Sequence, residues 1–405
     1  MNPVAALALL AIAGLAATRL SWLRRAPPHG VDAVLATGVP LVLLGLVLGP
    51  GIGMLDRPAL RALAPLTALA VGWLGATLGA RFEWRLITRI PRATWLLCGA
   101  QAVAGLLAVG TGAWLLSRAV PALRAAWVPT LPAVLTLGAV AMVSGPTAVA
   151  LAARAAGVAR HTSRALSLAA ALDTTLGVLA FTLALALHHP GAQGRPAVGP
   201  AAWLALTLGS GVLAGIVFLS LTRLRPAAGD VGFALLGTVF FGAGAAYAAG
   251  SSPVLACAIA ASVIVNLAPR RRAVRAHLEA WESAATAALF IIIGTLLTLP
   301  TVWILPAALA LAALRVGVRW VVVRYGRSAL GALRLPAGVG IATAPQGGLA
   351  LAIAASFFLI DPGSGALLTT VVVGVLFAQL AAPPLLARTL RAPALTAPRP
   401  AAELS

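Results

Sequence analysis

The sequence predicts an all-α protein that crosses a membrane many times. Of its 405 residues, 61% are hydrophobic and only 9% are charged, and the mean hydropathy is +1.00. A soluble domain typically carries about 25% charged residues, so this composition does not suit a surface that faces water. One transmembrane helix needs ~20 apolar residues, which gives the chain room for about a dozen. Soluble enzymes, nucleic-acid-binding proteins and disulfide-rich scaffolds are therefore disfavoured.

Thirteen apolar stretches are predicted to be transmembrane spans. They are residues 3–18, 33–49, 59–79, 94–117, 132–153, 164–187, 201–220, 231–248, 252–268, 283–299, 301–323, 336–360 and 364–387. The first stretch lacks the basic residues that precede the apolar part of a signal peptide, which favours a retained helix over a cleaved leader.

The arginines predict the orientation of these spans. All 29 basic residues are arginine, and 24 of them follow odd-numbered spans whereas 5 follow even-numbered ones. Cytoplasmic loops of membrane proteins carry an excess of positive charge. The N-terminus is therefore predicted outside and the C-terminus in the cytoplasm. The formal charge of +20 is explained by loops that face anionic lipid, and no nucleic-acid partner is expected.

Internal similarity predicts two halves with opposite orientations. The sequence of residues 39–55 resembles that of 252–269, and 71–79 resembles 290–298. Each pair is seven spans apart, and an odd offset inverts the second copy in the membrane. The sequence thus predicts a single transporter domain, 1–405. This domain comprises a first repeat (1–187), a linking span (201–220), an inverted second repeat (231–387) and a short cytoplasmic tail (388–405).

Two spans in corresponding positions are interrupted by helix-breaking residues. The breaks comprise Gly145 and Pro146 in the fifth span, and Pro345, Gln346, Gly347 and Gly348 in the twelfth. Proline removes a backbone donor and glycine loosens a helix, so carbonyls and half-helix ends are freed to face an ion where lipid is excluded. This pattern predicts two discontinuous helices that cross at a transporter binding site. The alternative is a pair of kinks with a packing role only.

The order and spacing of the motifs resemble the cation:proton antiporter superfamily, in particular its bacterial sodium/proton or potassium/proton exchanger branch. Seven segments carry this resemblance: 41–55, 66–82, 141–149, 170–181, 255–265, 289–297 and 344–354. The resemblance implies a multi-pass protein of the bacterial inner membrane, a homodimer whose protomers each have a dimerisation panel and a six-helix core, with a monovalent cation and a proton as substrates. No nucleotide-binding or metalloprotease motif occurs, so neither a cofactor nor an enzymatic activity is expected.

Asp173 is the principal candidate for the ion- and proton-binding group. It is the one carboxylate of nine that lies near the middle of an apolar span. An ionisable side chain at this depth is a functional candidate by default, and a structural salt bridge is the alternative. Arg315, in the eleventh span, is predicted to be its charge partner and cannot itself carry the proton, because arginine stays protonated. Arg315 has its own alternative, which is to reach towards the cytoplasmic interface.

Two motifs depart from the pattern of the family that the chain resembles. The first broken helix usually reads Thr-Asp-Pro and here reads Ser144-Gly145-Pro146, while the usual acidic pair is replaced by Asp173-Thr174. The oxygen shell of a cation is then predicted to include hydroxyls, namely those of Ser144, Thr147, Thr174 and Thr175.

The sequence therefore predicts a secondary antiporter that exchanges Na⁺ or K⁺ for protons. Two alternatives stay open, a carrier of the same fold for an anion or organic acid, and a transport-inactive homologue with a sensing role. A fixed arginine beside half-helix N-termini would suit an anion.

Overall fold

The computed structural model describes residues 38–52, 62–88, 91–155, 160–188, 199–222, 228–329 and 339–390. The first predicted span and the residues after 390 lie outside these ranges. Every regular element in the described ranges is a helix, and they contain no strand. The predicted all-α fold class is confirmed.

Sixteen helices are described. They are α1 (Val39–Leu46, continued by a π-helical turn over Val47–Gly51), α2 (Ala64–Gly79), α3 (Trp84–Ile87), α4 (Arg92–Ala119), α5 (Pro121–Trp127), α6 (Leu131–Met142), α7 (Pro146–Ala155), α8 (Arg160–His188), α9 (Pro200–Leu221), α10 (Ala228–Ala248), α11 (Pro253–Leu267), α12 (Arg271–Thr295), α13 (Ile304–Ala329), α14 (Val339–Ala342), α15 (Gly347–Ile360) and α16 (Gly365–Leu390). A short 3₁₀ turn, Pro362–Ser364, joins the last two.

The helices have the length and composition of a multi-pass membrane protein. Eight described segments are at least 18 residues long and apolar enough to cross a bilayer, and four shorter apolar helices accompany them. In lipid, a helix satisfies its own backbone groups, which is why such segments are helical. The number of thirteen spans stays a prediction, because the first one is outside the described residues.

The predicted bounds differ most at the tenth span, which was placed at 283–299. The helix α12 begins at Arg271 and ends at Thr295. Its additional first turns are polar and held by side chains, since Arg275 forms a 2.8 Å ion pair with Glu83 and donates a hydrogen bond to Ala80 O.

Small residues let the membrane helices approach closely. A Cβ atom added at Gly79 of α2 would lie 1.9 Å from Ala258 O of α11, and one added at Gly75 would lie 2.2 Å from Val254 O. Membrane helices associate through such small residues, because lipid provides no hydrophobic force between them.

The packing of helices agrees with the predicted inverted repeat. The helix α1 packs on α12, where Gly45 and Gly294 face each other, and α2 packs on α11. These are the second span on the tenth and the third on the ninth. With an offset of seven spans, the second span corresponds to the ninth and the third to the tenth. The repeat therefore relates one of these two contacts to the other. The packing supports the symmetry, which stays a prediction.

We expect Gly79→Ala to destabilise the protein by about 1–3 kcal/mol, because the new methyl group collides with the α11 backbone. The measurement is thermal unfolding of the purified protein in detergent. Gly99→Ala is the matched control, since no atom of the described structure lies within 4 Å of its Cβ position. Equal melting temperatures for the two variants would contradict the close contact of α2 with α11.

Candidate functional site

The first broken helix consists of α6 and α7, which are separated by the extended residues Val143, Ser144 and Gly145. The break follows from Pro146, the first residue of α7. Proline has no N–H to donate to the carbonyl four residues earlier, and its ring clashes with that carbonyl. Its fixed φ is however well suited to begin a new helix.

The second broken helix consists of α14 and α15, with residues 343–346 between them. Gly347 has φ +66°, in the left-handed region that glycine adopts without steric cost. The prediction of two discontinuous helices is therefore confirmed. Of the residues predicted to interrupt them, Gly145, Pro345 and Gln346 lie between the half-helices, whereas Pro146, Gly347 and Gly348 begin the second halves.

The two breaks cross in direct backbone contact. Gly145 N donates to Pro345 O at 2.9 Å, and Gln346 Nε2 donates to Val140 O at 2.7 Å. A Cβ atom on Gly145 would lie 2.4 Å from Gln346 O. The position at which the resembled family usually has an aspartate is thus filled by the backbone of the other broken helix, and only glycine fits there without a shift.

The helix α8 places Asp173 beside the first break, with no exposed surface. Its Oδ2 atom accepts three hydrogen bonds, from Gln101 Nε2 at 2.6 Å, Arg319 Nη1 at 2.9 Å and Ser144 Oγ at 3.1 Å. Asp173 is the one fully buried carboxylate in the described ranges. A carboxylate at such depth persists in the charged form only with partners of this kind.

The charge partner of Asp173 is Arg319 and not the predicted Arg315. The Arg319–Asp173 ion pair measures 2.9 Å, and neither side chain has any exposed surface. Both arginines project from one face of α13, because residues four apart are neighbours on a helix. Both belong to the 24 arginines that were counted after odd-numbered spans. Their burial leaves 22 arginines against 5, which is still a strong bias.

Arg315 joins the first halves of the two broken helices. It donates to Ala141 O from Nε at 2.8 Å, to Val143 O from Nη2 at 2.6 Å and to Ala344 O from Nη1 at 2.6 Å. Only 2% of its surface is exposed, so it does not extend to the interface. The last carbonyls of a helix carry a charge of about −0.5, which Arg315 offsets.

Arg319 has acceptors besides Asp173. Its Nη2 donates to Met142 O at 2.5 Å, and its Nη1 lies 2.6 Å from Ser144 Oγ and 3.1 Å from Thr343 Oγ1. The guanidinium therefore has hydrogen-bond partners at the C-terminal ends of both first halves in addition to the carboxylate.

Of the four predicted hydroxyl ligands, one bonds the carboxylate of Asp173 and a second bonds the backbone of Ser144. Ser144 bonds the carboxylate directly, and Thr174 Oγ1 lies 2.5 Å from Ser144 O and accepts a bond from Ser144 N at 3.3 Å. Thr175 donates to Ala171 O within its own helix. Thr147 instead donates to Glu282 Oε1 at 2.6 Å. Thr174 therefore holds the break in place, whereas Thr147 and Thr175 lie outside the group around Asp173.

Thr147 lies close to an open cleft of about 350 Å³ that is lined in part by residues of α8. Arginines and glutamates dominate its polar lining, and Arg81, which contributes to that lining, donates to Thr147 Oγ1 at 3.1 Å. The lining also includes Ala171, two residues before Asp173. The cleft on the arginine-rich side of the protein thus reaches the helix that carries the buried carboxylate.

Sequence reasoning did not identify Gln101 or Arg319. The spacing of Arg315 and Arg319 on one helix face was an available signal for the second arginine. Gln101 is a buried amide within the predicted span 94–117. The described residues contain no group of three or more His, Cys, Asp or Glu suited to a metal ion.

No protein-family model matches the sequence, and no similar curated protein was found. Among solved structures, the chain is similar to the sodium proton antiporter MjNhaP1 from Methanocaldococcus jannaschii, in a structure at pH 8. The TM-score is 0.67 at 16% sequence identity, and the match covers 96% of this chain and 97% of that one. The chain has the sodium/proton antiporter fold. The predicted resemblance to the cation:proton antiporter superfamily is confirmed at the level of the fold.

We expect Arg319→Met to destabilise the protein by about 3–5 kcal/mol, because it leaves Asp173 charged and unpaired in the interior. The double variant Asp173→Asn with Arg319→Met is expected to be less destabilised than the sum of the two single variants, which a thermal double-mutant cycle measures. Arg324→Met is the control, since Arg324 is an exposed arginine of the same helix. Additive effects would contradict the ion pair.

Proposed function

We propose that the protein is a secondary active antiporter that exchanges a monovalent cation, Na⁺ or K⁺, for protons, and that Asp173 is the shared ion and proton site. The observation that carries this proposal is the position of the one fully buried carboxylate of the described chain, beside the crossing of two broken helices. The sodium/proton antiporter fold supports it. Half-helix ends at a crossing are typical of the binding sites of secondary transporters.

Exchange follows from the limited choice of partners for a buried carboxylate. An unpaired charge inside the membrane costs several kcal/mol. The site therefore seldom changes its open side while Asp173 is charged and without a partner. It is neutralised by a proton, by a cation or by Arg319. A proton taken up on one side and a cation taken up on the other then give a one-for-one, electroneutral cycle.

Arg319, the third of these partners, can release Asp173 because it has other hydrogen-bond acceptors. When a cation or proton arrives at Asp173, Arg319 keeps its bonds to Met142 O and Thr343 Oγ1. The half-helix ends at which these acceptors lie stabilise the positive charge. Arg319 thus holds the empty carboxylate and yields it when an ion binds, so that the salt bridge stabilises the protein between transport steps.

Alternating access requires the site to open to each side in turn. Asp173 has no exposed surface, so the described conformation is closed at the carboxylate. The cleft that reaches Ala171 is the proposed cytoplasmic entrance, in agreement with its arginines and the positive-inside rule. We further propose a homodimer in the bacterial inner membrane, with the N-terminus outside and the C-terminus in the cytoplasm.

Asp173→Asn is expected to abolish cation-driven proton flux, since an amide neither releases a proton nor neutralises a cation. The measurement is fluorescence dequenching of a pH dye in proteoliposomes on addition of Na⁺ or K⁺. Asp230→Asn, at an exposed position of α10, is the matched control and should retain the wild-type flux. Unchanged flux in Asp173→Asn would contradict the assignment of the site.

A second candidate function is the transport of an anion or organic acid. Two fully buried arginines, Arg315 and Arg319, face a single carboxylate, and the positive N-terminal ends of α7 and α15 lie at the same crossing. The negative C-terminal ends of α6 and α14 offset these N-terminal ends, since each end counts as about half a charge. Two arginines and one carboxylate then leave an excess of about one positive charge, which suits an anion.

Uptake of organic and inorganic anions into proteoliposomes without a Na⁺ or K⁺ gradient separates the two functions. If the protein is an anion carrier, uptake is present in the wild type and is lost in Arg319→Gln. If it is a cation/proton antiporter, uptake stays at the level of empty liposomes. Absence of both activities in a folded protein would indicate the transport-inactive homologue.

A further inference from the structure

The amide of Gln101 is bonded to the proposed ion-binding carboxylate from a helix outside both breaks. Gln101 lies in α4, is 1% exposed, and donates from Nε2 to Asp173 Oδ2 at 2.6 Å. The two residues are 72 positions apart in the chain. A buried glutamine in a membrane helix loses its hydration, so its polar atoms need partners in the protein or in a ligand.

Two oxygens in this pair have no donor among the described residues. Asp173 Oδ2 accepts three hydrogen bonds, whereas Asp173 Oδ1 and Gln101 Oε1 are buried and accept none. Each belongs to a group held by the 2.6 Å bond, so covalent geometry keeps both oxygens near it. A buried acceptor without a partner is destabilising, by an amount comparable to the loss of a hydrogen bond.

A single positive species bound between the two oxygens would satisfy both. Na⁺ and K⁺ are hard cations that bind carboxylate and amide carbonyl oxygens. A proton on Asp173 Oδ1 converts that atom into a donor, for which Gln101 Oε1 is an acceptor. Both alternatives use the same two atoms.

We propose that Gln101 is a ligand of the transported monovalent cation, which binds between Gln101 Oε1 and Asp173 Oδ1 in place of the proton. This inference rests on the proposed antiport function and deepens it. When the site exchanges, the Oδ1–H bond breaks, the proton leaves to water on the open side and the cation takes its position. Because the amide is neutral, the site has one negative charge, which explains how one carboxylate gives a one-for-one exchange.

A purely positioning role for Gln101 uses its Nε2 donor alone, and substitutions separate the two roles. Gln101→Leu removes both the donor and the oxygen. Gln101→Glu keeps an oxygen at the end of a side chain of the same length but removes the donor and adds repulsion with Asp173. If Oε1 is a ligand, Glu binds the cation at least as well as the wild type. If only the Nε2 donor matters, the Glu variant binds the cation more weakly than the Leu variant.

The experiment measures proton flux in proteoliposomes against Na⁺ and K⁺ concentration at fixed pH, using the full chain. We expect Gln101→Leu to raise the KM for the cation about tenfold with a much smaller change in maximal rate, as for the loss of one ligand. Gln101→Glu is expected to have a wild-type or lower KM. Gln379→Leu is the matched control, since this buried glutamine lies in α16, and its KM should not change.

A second measurement is independent of transport. Cation binding to the folded state raises the melting temperature, so Na⁺ and K⁺ should stabilise the wild type and Gln379→Leu at the same concentrations, whereas Gln101→Leu should need about tenfold more cation for the same shift. An unchanged KM and an unchanged cation-induced shift in Gln101→Leu would overturn the inference, as would a Glu variant weaker than the Leu variant. Wild-type protein that is stabilised through Gln101 but shows no flux would overturn the antiport function and leave the cation site standing.

Discussion

The Asp173–Arg319 ion pair is the interaction on which the central site depends. Two opposite charges at 2.9 Å, without any exposed surface, are tolerated only because each has further partners. Arg319 also bonds the ends of two half-helices, and Asp173 also bonds an amide and a hydroxyl. The pair is thereby embedded in a network in which every helix break contributes a partial charge.

The breaks in turn explain why arginine is needed at this depth. An interrupted helix leaves carbonyls without intrahelical donors, and lipid provides none. Arg315 and Arg319 donate to such carbonyls on both broken helices. Arginine suits this position better than lysine, since its five donors lie in a rigid fork and it stays protonated. The arginines therefore stabilise the crossing and also set the electrostatic potential at Asp173.

Close backbone contact explains why the site has one carboxylate. At Gly145 the second broken helix approaches so closely that a Cβ atom would lie 2.4 Å from Gln346 O. A side chain at this position would separate the two breaks and disturb the bonds that Arg315 makes to both. Besides Arg319, Asp173 has neutral partners, which are the hydroxyl of Ser144 and the amide nitrogen of Gln101. The described site therefore has one carboxylate, without a second acidic side chain at the crossing.

The sequence alone determined the class of protein, most helix bounds and both helix breaks, because apolar length, proline and glycine act locally along the chain. It also singled out Asp173 as a carboxylate within an apolar span, which is exceptional wherever the span packs. It predicted Arg315 in place of Arg319 as the ion-pair partner, gave no sign of Gln101, and grouped Thr147 and Thr175 with Asp173, to which neither hydroxyl is hydrogen-bonded. Only the tertiary structure decided these contacts, because residues far apart in sequence meet according to the rotation and crossing of whole helices. One helical turn separates Arg315 from Arg319, and the packing of α13 against the first break selects which of them reaches Asp173.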